Sequence, residues 1–318
     1  ASIAIIDDWQ IIADDDEEEF VGYDLLSTPI KIVKYRKVVN KKEGEFFQLV
    51  FNMTPFYPES GGQVGDKGYL EASNGDIHYI IDTKKENNLI VHYSTTLPVD
   101  LNQKLNAEVD EKQRHKIACN HSATHLMHQA LRSVLGDHVE QKGSMVHSGM
   151  FRFDFSHFAK LLPEEITAVE QFVNARIKER LPLEESRSVP YEKAISSGAI
   201  ALFGEKYGDQ VRVLKIAGDY STELCGGTHV KNSSEIKSFK IISETSISSG
   251  VRRIEAISVY LAIKDKADNK TDLLNTAETF NVSVKDLPKF LKDKIKLINS
   301  SKEDLKKHEQ KIYQNLLD

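Results

Sequence analysis

Two pairs of side chains in this sequence have the types and the spacing that metal binding requires. His121 and His125 are four positions apart, which on a helix places both imidazoles on one face, about 5–6 Å apart at Cβ. About a hundred residues later, Cys225 and His229 flank two adjacent glycines, whose backbone freedom lets the chain fold both side chains toward one point. Together the pairs predict a tetrahedral Zn²⁺ site made of one thiolate and three imidazoles.

Neighbouring residues limit the kind of metal site. Ser122 stands where the HExxH metalloproteases have their glutamate, so the sequence excludes that class of protease. A lone HxxxH also occurs as surface or core histidines, and a glycine turn with a buried cysteine is the alternative for the second pair. Cys119 is about 200° around the helix from His121, so we expect it in the core. His128 is expected to pack beside the site or to support a ligand.

The composition is that of a globular protein rather than of a nucleic-acid-coating or membrane protein. Of the 318 residues, 40% are hydrophobic and 28% charged, and the net charge of −6 argues against bulk electrostatic binding of nucleic acid, although it permits a local basic groove. No apolar run approaches the length of a membrane span, and the first residues lack the basic start of a signal peptide. With two cysteines, a disulfide framework is not expected, which favours a reducing, cytoplasmic compartment.

The pattern of apolar, β-branched and charged residues divides the chain into three regions. Residues 1–108 predict a small β-barrel or sandwich, residues 109–260 an α+β domain, and the lysine-rich residues 261–318 a helical segment with a break near Pro288. The individual predictions are strands at 31–39, 46–53, 76–82, 88–94, 150–155, 211–216, 236–242 and 252–260, helices at 111–135 and from Pro163, and a solvated acidic loop at 14–19. The segment SGGQVGDKG (60–68) lacks GK[ST] and predicts β-turns rather than a phosphate-binding loop.

Several motifs resemble the editing domain of alanyl-tRNA synthetase and the β-barrel that precedes it. The editing-domain motifs occur in the family's order: HSATHLMHQALR (121–132), QKGSMV (141–146), RFDFSH (152–157), ALFGEKYGD (201–209), LCGGTHV (224–230) and GVRRIEA (250–256). FVGYD (20–24) and FYPESGGQVGDKGYL (56–70) resemble the barrel. The resemblance covers about residues 5 to 260. The threonyl-tRNA synthetase editing domain has similar His and Cys/His pairs but fits these motifs less well.

This resemblance implies an esterase that hydrolyses Ser-tRNA(Ala) and Gly-tRNA(Ala), with His121, His125, Cys225 and His229 as zinc ligands. It implies that Thr124 contacts the serine hydroxyl, against the alternative of a helix threonine bonded to the carbonyl one turn back. Gln141 is expected to orient a water molecule or the ester carbonyl. The remaining candidates for binding substrate are Lys142, Gly227 and Arg253. Lys142 could meet phosphate or solvent, and strand alternation sends Arg252 and Arg253 to opposite faces, so at most one of them faces tRNA.

Nothing in the sequence resembles the class II aminoacylation domain that begins a full-length synthetase. The expectation is therefore a synthetase fragment that does not activate alanine, while the full-length enzyme would ligate alanine to tRNA(Ala) with ATP. Two alternatives stay open: a freestanding trans-editing deacylase and a non-enzymatic, zinc-stabilised tRNA-binding module. The expected partner is mischarged tRNA(Ala), with no membrane and no DNA, and the family's C-terminal region implies a possible homodimer.

Overall fold

The computed structural model describes residues 3–258 apart from 6, 14–17, 41–43, 88 and 202–206, and residues 273–301 apart from 275, 278, 281, 295, 298 and 299. Residues 1–261 form one compact unit and residues 262–318 a second. Most of the acidic run at 14–19 and of the motif at 201–209 lies outside the described residues. Among the described residues, no helix is both long and apolar enough to cross a membrane.

Antiparallel strands dominate the described residues that precede the first helix. Their bounds are β1 (Ile3–Ile5), β2 (Gln10–Ile11), β3 (Glu19–Phe20), β4 (Ser27–Ile30), β5 (Ile32–Asn40), β6 (Gly44–Phe51), β7 (Met53–Thr54), β8 (Gly68–Ala72), β9 (Ile77–Glu86), β10 (Leu89–Ser94) and β11 (Leu105–Val109). One sheet runs in the order β1-β5-β6-β10-β9-β8-β11-β4, with β2 on β5, and β3 pairs with β7 in parallel. Large apolar residues such as Leu49, Phe51 and Leu70 alternate toward its core. The mostly β region is thus confirmed, while the pairings of the described residues form an open path rather than a closed ring.

A single long helix, α1 (Glu111–Leu135), follows the sheet and matches the predicted bounds. Asp110 caps its start by accepting a hydrogen bond from the Gln113 backbone N–H, and Glu111 suits the positive end of the helix dipole. Gly136, at φ 115°, ends it. Most of its middle is buried, so its histidines lie inside the protein rather than on its surface.

The remaining elements of this unit follow α1 in the chain, and several of them pack against it. They are β12 (Gln141–Val146), β13 (Phe151–Ser156), α2 (Pro163–Lys178), β14 (Leu183–Pro190), α3 (Tyr191–Ser196), β15 (Gln210–Ile216), β16 (Ser221–Leu224), β17 (Lys240–Ser248) and β18 (Val251–Ile257), with 3₁₀ turns at Gly218–Tyr220 and Ser233–Ile236. The strands form the sheets β12-β13-β18-β17 and β14-β15-β16. Phe151, Phe153 and Phe155 of β13 share a second core with α1 and α2. The mixed α and β content predicted for this region is confirmed.

The N-terminal sheet is tied to α1 by a buried ion pair. The Arg114 guanidinium binds the Asp66 carboxylate and also donates to the backbone oxygens of Gly22 and Pro55. Both charged side chains are almost fully buried, so the loop that carries Asp66 has a fixed position against the helix. The same loop contributes Gln63 to the candidate metal site.

Most of the described residues of the second unit are helical. Helical residues fall within 273–279 and 287–301, and the Phe280 and Phe290 rings contact each other at 5.4 Å between centroids. Pro288 lies in the first turn of the second helical stretch, where a proline is tolerated. The interruption therefore precedes Pro288.

Candidate metal centre

Four donor atoms converge between α1 and the turn that follows β16. They come from His121, His125, Cys225 and His229, and they all lie within 4.8 Å of one another. Cys225 Sγ is 3.5 Å from His121 Nε2 and 3.3 Å from His229 Nε2. Ordinary zinc bond lengths in a tetrahedron imply a sulfur-to-nitrogen separation of about 3.6 Å. The donor set and its spacing therefore fit a Zn²⁺ ion.

The imidazole of His121 is oriented by a residue from the N-terminal sheet. Its Nδ1–H donates to Oε1 of Gln63 at 2.7 Å, and the same oxygen accepts the backbone N–H of Thr228 at 2.9 Å. The Gln63 amide nitrogen donates to the Thr228 hydroxyl at 2.9 Å. Nε2 of His121 is thus left to face Cys225, as expected of a histidine that ligates metal through Nε2.

The other two histidines also contact a polar group through Nδ1. His125 Nδ1 lies 2.7 Å from Oε2 of Glu223, a charge contact whose angle is outside hydrogen-bond geometry. His229 Nδ1 lies 3.1 Å from the Ser122 hydroxyl, which also accepts the Val230 backbone N–H. All three rings therefore turn Nε2 toward the centre of the cluster, and metal-binding histidines are commonly oriented in this way.

Electrostatics favour the thiolate that a metal requires. Burial alone would raise the pKa of Cys225, but His121, His229 and His125 hold it well below its usual value. Burial would likewise lower the pKa of His125, yet Glu223 and Cys225 raise it to about 10. Burial lowers the pKa of His229 to about 3, so this ring is neutral. Zinc binds a thiolate and neutral imidazole nitrogens, so Cys225 and His229 already have the required protonation states, whereas the ion would have to displace a proton from His125.

Gly227 is required by close packing rather than by its backbone angles. A Cβ at this position would lie 2.8 Å from Gln63 Oε1 and closer still to the His121 ring. Neither Gly226 nor Gly227 has a positive φ. The expectation that special glycine angles fold this turn was therefore wrong; Gly227 leaves room for the imidazole of a ligand.

A cavity of about 400 Å³ opens on the cluster. Its lining includes His121, His125 and Cys225, together with Thr124 and Gln141, so these predicted site residues come together. Further lining residues come from the N-terminal sheet and from the β14-β15-β16 region, among them Tyr57, Ser60, Gly61, Arg212 and Glu223. The site is thus built by both halves of the unit.

Comparison with known proteins places this geometry in a family. Residues 4–113 match the family described as "tRNA synthetases class II (A)", and residues 211–255, which carry Cys225 and His229, match "Threonyl and Alanyl tRNA synthetase second additional domain". The alanine–tRNA ligase of Christiangramia forsetii is 54% identical and covers 93% of this chain, and that of Flavobacterium psychrophilum is 45% identical over 99%. The chain belongs to the alanyl-tRNA synthetase family. It spans 33% and 35% of those two proteins, about a third of their length.

Thr124 has both features that its two interpretations require. Its hydroxyl donates to the Asn120 carbonyl at 2.8 Å, the bond one turn back that an ordinary helix threonine makes. It also lines the cavity beside His121 and His125. Gln141, at the start of β12, lines the same cavity, and its amide nitrogen donates to the Ser144 hydroxyl at 3.3 Å.

Two substrate-binding candidates lie away from this cavity among the described residues. Lys142 lies where the pairing of β12 with β13 is irregular, does not line the cavity, and pairs with Glu140 at 2.9 Å. Arg253 makes two hydrogen bonds to the Asp154 carboxylate, at 2.6 and 2.8 Å, and its neighbour Arg252 pairs with Glu244. Substrate binding by Lys142 or Arg253 therefore stays a prediction.

The two residues expected not to be ligands are placed accordingly. Cys119 is fully buried in the core around α1, its thiol donates to the Glu235 carbonyl, and burial raises its pKa to about 12. His128 lies against Phe153, with Nδ1 3.5 Å from Glu223. Neither residue belongs to the donor cluster.

Sequence reasoning missed the residues that orient the ligands: Gln63, Ser122 and Glu223. In the sequence, Ser122 shows only that the metalloprotease glutamate is missing, and the segment that carries Gln63 predicts turns. The turns are present, with Gly61 and Gly62 at positive φ, but they also direct Gln63 into the site. Of the three, Glu223 could have been suspected from the sequence. It lies two residues before Cys225 in a strand, and a buried carboxylate requires a partner, which the nearby histidines could supply.

Proposed function

We propose that this chain removes wrongly attached amino acids from tRNA by hydrolysing the ester bond of Ser-tRNA(Ala) and Gly-tRNA(Ala). The observation that carries the proposal is the cluster of one cysteine and three histidines beside a cavity lined by Thr124 and Gln141. Membership of the alanyl-tRNA synthetase family and the match to the second additional domain support it.

A physical need for such a site follows from the size of alanine. An aminoacylation pocket that accepts alanine has no means to exclude the smaller glycine, and it rejects serine poorly because serine adds only a hydroxyl. A second site that hydrolyses these products restores accuracy, and recognition of the hydroxyl lets it tell serine from alanine.

The donor set supports Zn²⁺ held by His121, His125, Cys225 and His229. Four protein ligands are typical of a closed, structural site. When bound, the ion would supply a fixed positive charge that organises the pocket and attracts the aminoacyl group. The proposed chemistry on the substrate is otherwise carried by side chains of the chain itself.

Thr124 is proposed to read the serine hydroxyl as a hydrogen-bond acceptor. Its single hydroxyl proton is used on the Asn120 carbonyl, so its oxygen presents lone pairs to the cavity. A serine hydroxyl can donate to it, whereas the methyl group of alanine cannot. Gln141 is proposed to orient a water molecule or the ester carbonyl through its amide, and Gly227 to allow the substrate to approach the turn.

The wider setting is also a proposal. It assigns residues 1–108 to a β-barrel, 109–260 to the editing domain and 261–318 to the start of a helical C-terminal region. The full-length protein would ligate alanine to tRNA(Ala) with ATP in the cytoplasm, and it would dimerise through the C-terminal region.

The decisive test measures hydrolysis of Ser-tRNA(Ala) and zinc content on the same sample, before chelation, after chelation and after zinc is restored. We expect activity that follows the zinc content. Undiminished activity in verified metal-free protein would contradict the metal's role. Zinc and tRNA binding without any hydrolysis would instead favour a non-enzymatic tRNA-binding module.

Specificity is tested by Thr124→Val against Thr167→Val. Thr167 makes the same bond to a carbonyl four residues back but lies exposed on α2. We expect Thr124→Val to slow serine removal more than glycine removal and Thr167→Val to change neither. Equal losses for both substrates would exclude hydroxyl recognition by Thr124.

A further inference from the structure

The loop between β7 and β8 enters the metal centre although it belongs to the N-terminal sheet. Gln63, at its tip, is fully buried. Its side chain makes three hydrogen bonds: Oε1 accepts from His121 Nδ1 and from the Thr228 backbone N–H, and Nε2 donates to the Thr228 hydroxyl. Its backbone N–H and carbonyl both pair with Ser60.

These contacts determine which atom of each group carries a proton. The backbone N–H of Thr228 can only donate, so the Gln63 atom that it meets has to be the carbonyl oxygen. The same oxygen faces Nδ1 of His121, which must therefore carry the proton. Nε2 of His121 is left with its lone pair, 3.5 Å from the Cys225 sulfur.

The loop holds Gln63 rigidly. Val64 N–H donates to the Val146 carbonyl at 3.1 Å, and Val146 N–H donates to the Gly62 carbonyl at 2.7 Å, so the loop pairs with β12. A Cβ on Gly62 would lie 2.7 Å from the Ser144 carbonyl, which shows how closely the two segments approach. On the other side, Asp66 is held by Arg114.

We propose that Gln63 is a positioning residue for metal binding, which makes zinc affinity depend on the docked N-terminal sheet. Gln63 fixes the tautomer and the orientation of His121, and through Thr228 it fixes the turn that carries Cys225 and His229. The proposal rests on the metal site of the proposed function. Groups that orient metal-binding histidines typically contribute 10–100-fold to affinity.

The test is zinc affinity, measured by competition with a chromophoric chelator, and the visible spectrum of the Co²⁺-substituted protein. Gln63→Leu removes the acceptor, and we expect about 10–100-fold weaker zinc binding and a changed Co²⁺ spectrum. Gln63→Asn is the second variant, to be used should Gln63→Leu fail to fold. Asparagine is polar and smaller but places its oxygen too far from His121, so we expect the same loss of zinc affinity. Gln63→Glu keeps an acceptor for both N–H groups and is expected to bind within a few-fold of the parent.

The matched control is Gln48→Leu. Gln48 is an equally buried glutamine of the same sheet, bonded to Glu86 and Tyr93 and not to the cluster. We expect it to lower the melting temperature without changing zinc affinity. Parent-like zinc binding by Gln63→Leu or Gln63→Asn, or an equal loss in Gln48→Leu, would overturn the inference. Zinc binding is measured without tRNA, so the two proposals can fail separately. If zinc affinity depends on Gln63 but the chain hydrolyses no Ser-tRNA(Ala) or Gly-tRNA(Ala), only the proposed function is refuted.

Discussion

Replacing Gly227 by alanine tests the most demanding packing contact of the metal centre. The added Cβ would lie 2.8 Å from Gln63 Oε1 and nearer to the His121 ring, against an ordinary contact of about 3.4 Å. The imidazole would have to retreat by roughly 1 Å, whereas metal–ligand distances tolerate about 0.2 Å. Gln63 blocks one direction of that movement. His121 would then no longer reach an ion shared with the other three ligands.

We therefore expect Gly227→Ala to weaken zinc binding on the order of 100-fold, at the upper end of what orienting groups contribute, because a ligand itself is displaced. Overpacking should also cost about 1–3 kcal/mol in the free energy of unfolding of the metal-free protein. Chelator competition measures the first effect and urea unfolding the second. Hydrolysis of Ser-tRNA(Ala) should fall with the zinc content.

The adjacent glycine provides the control. A Cβ on Gly226 would meet only the Tyr23 hydroxyl, at an ordinary 3.8 Å, and the φ of Gly226 is not positive. Gly226→Ala should therefore bind zinc like the parent. Retained affinity in Gly227→Ala, or an equal loss in Gly226→Ala, would refute the steric argument.

Three further predictions concern other parts of the chain. Cys225→Ala should abolish zinc binding, whereas Cys119→Ala should lower stability and keep the metal, as metal analysis and thermal unfolding of both variants would show; zinc retained by Cys225→Ala would contradict the donor set. Burial lowers the pKa of His92 to about 3, so the fold holds this ring neutral and stability is lost as the pH falls from about 6.5 toward 3. Urea unfolding at several pH values in this window measures how the unfolding free energy changes with pH, and that slope should be smaller by about 1.4 kcal/mol per pH unit in His92→Gln. An unchanged slope would exclude this titration. Arg114→Met should cost about 3–5 kcal/mol in unfolding free energy by leaving Asp66 buried and unpaired, and the added change Asp66→Leu should restore part of it; a loss below about 1 kcal/mol would show that the ion pair does not tie the sheet to α1.

Local patterns were sufficient to predict the elements that carry the ligands. Helix α1 has the predicted bounds because Asp110 caps it, Gly136 ends it, and apolar residues recur at helical spacing between them. The four donors could be found because each pair lies within five residues and because cysteine is rare in this chain. These signals involve residues that are close in sequence, so they can be recognised without knowing the tertiary structure.

The orienting groups were not predictable in the same way. Gln63 is 58 positions from His121, and nothing in the spacing of the two residues indicates that they touch. The expected backbone angles of Gly227 were wrong, because this glycine is needed for space, and that need depends on what packs against it, here an imidazole from a distant helix. Both features are set by tertiary contacts, which a single sequence does not display.

The partners of the three Nδ1 atoms suggest why the site and the fold are inseparable. One partner, Ser122, lies on α1 itself; another, Glu223, comes from β16; the third, Gln63, comes from the N-terminal sheet. Each imidazole is thus oriented by a group from a different part of the compact unit. Loss of any one part leaves at least one imidazole free to rotate. Metal binding should accordingly stabilise the docked arrangement of all three parts, by an amount that grows with zinc affinity.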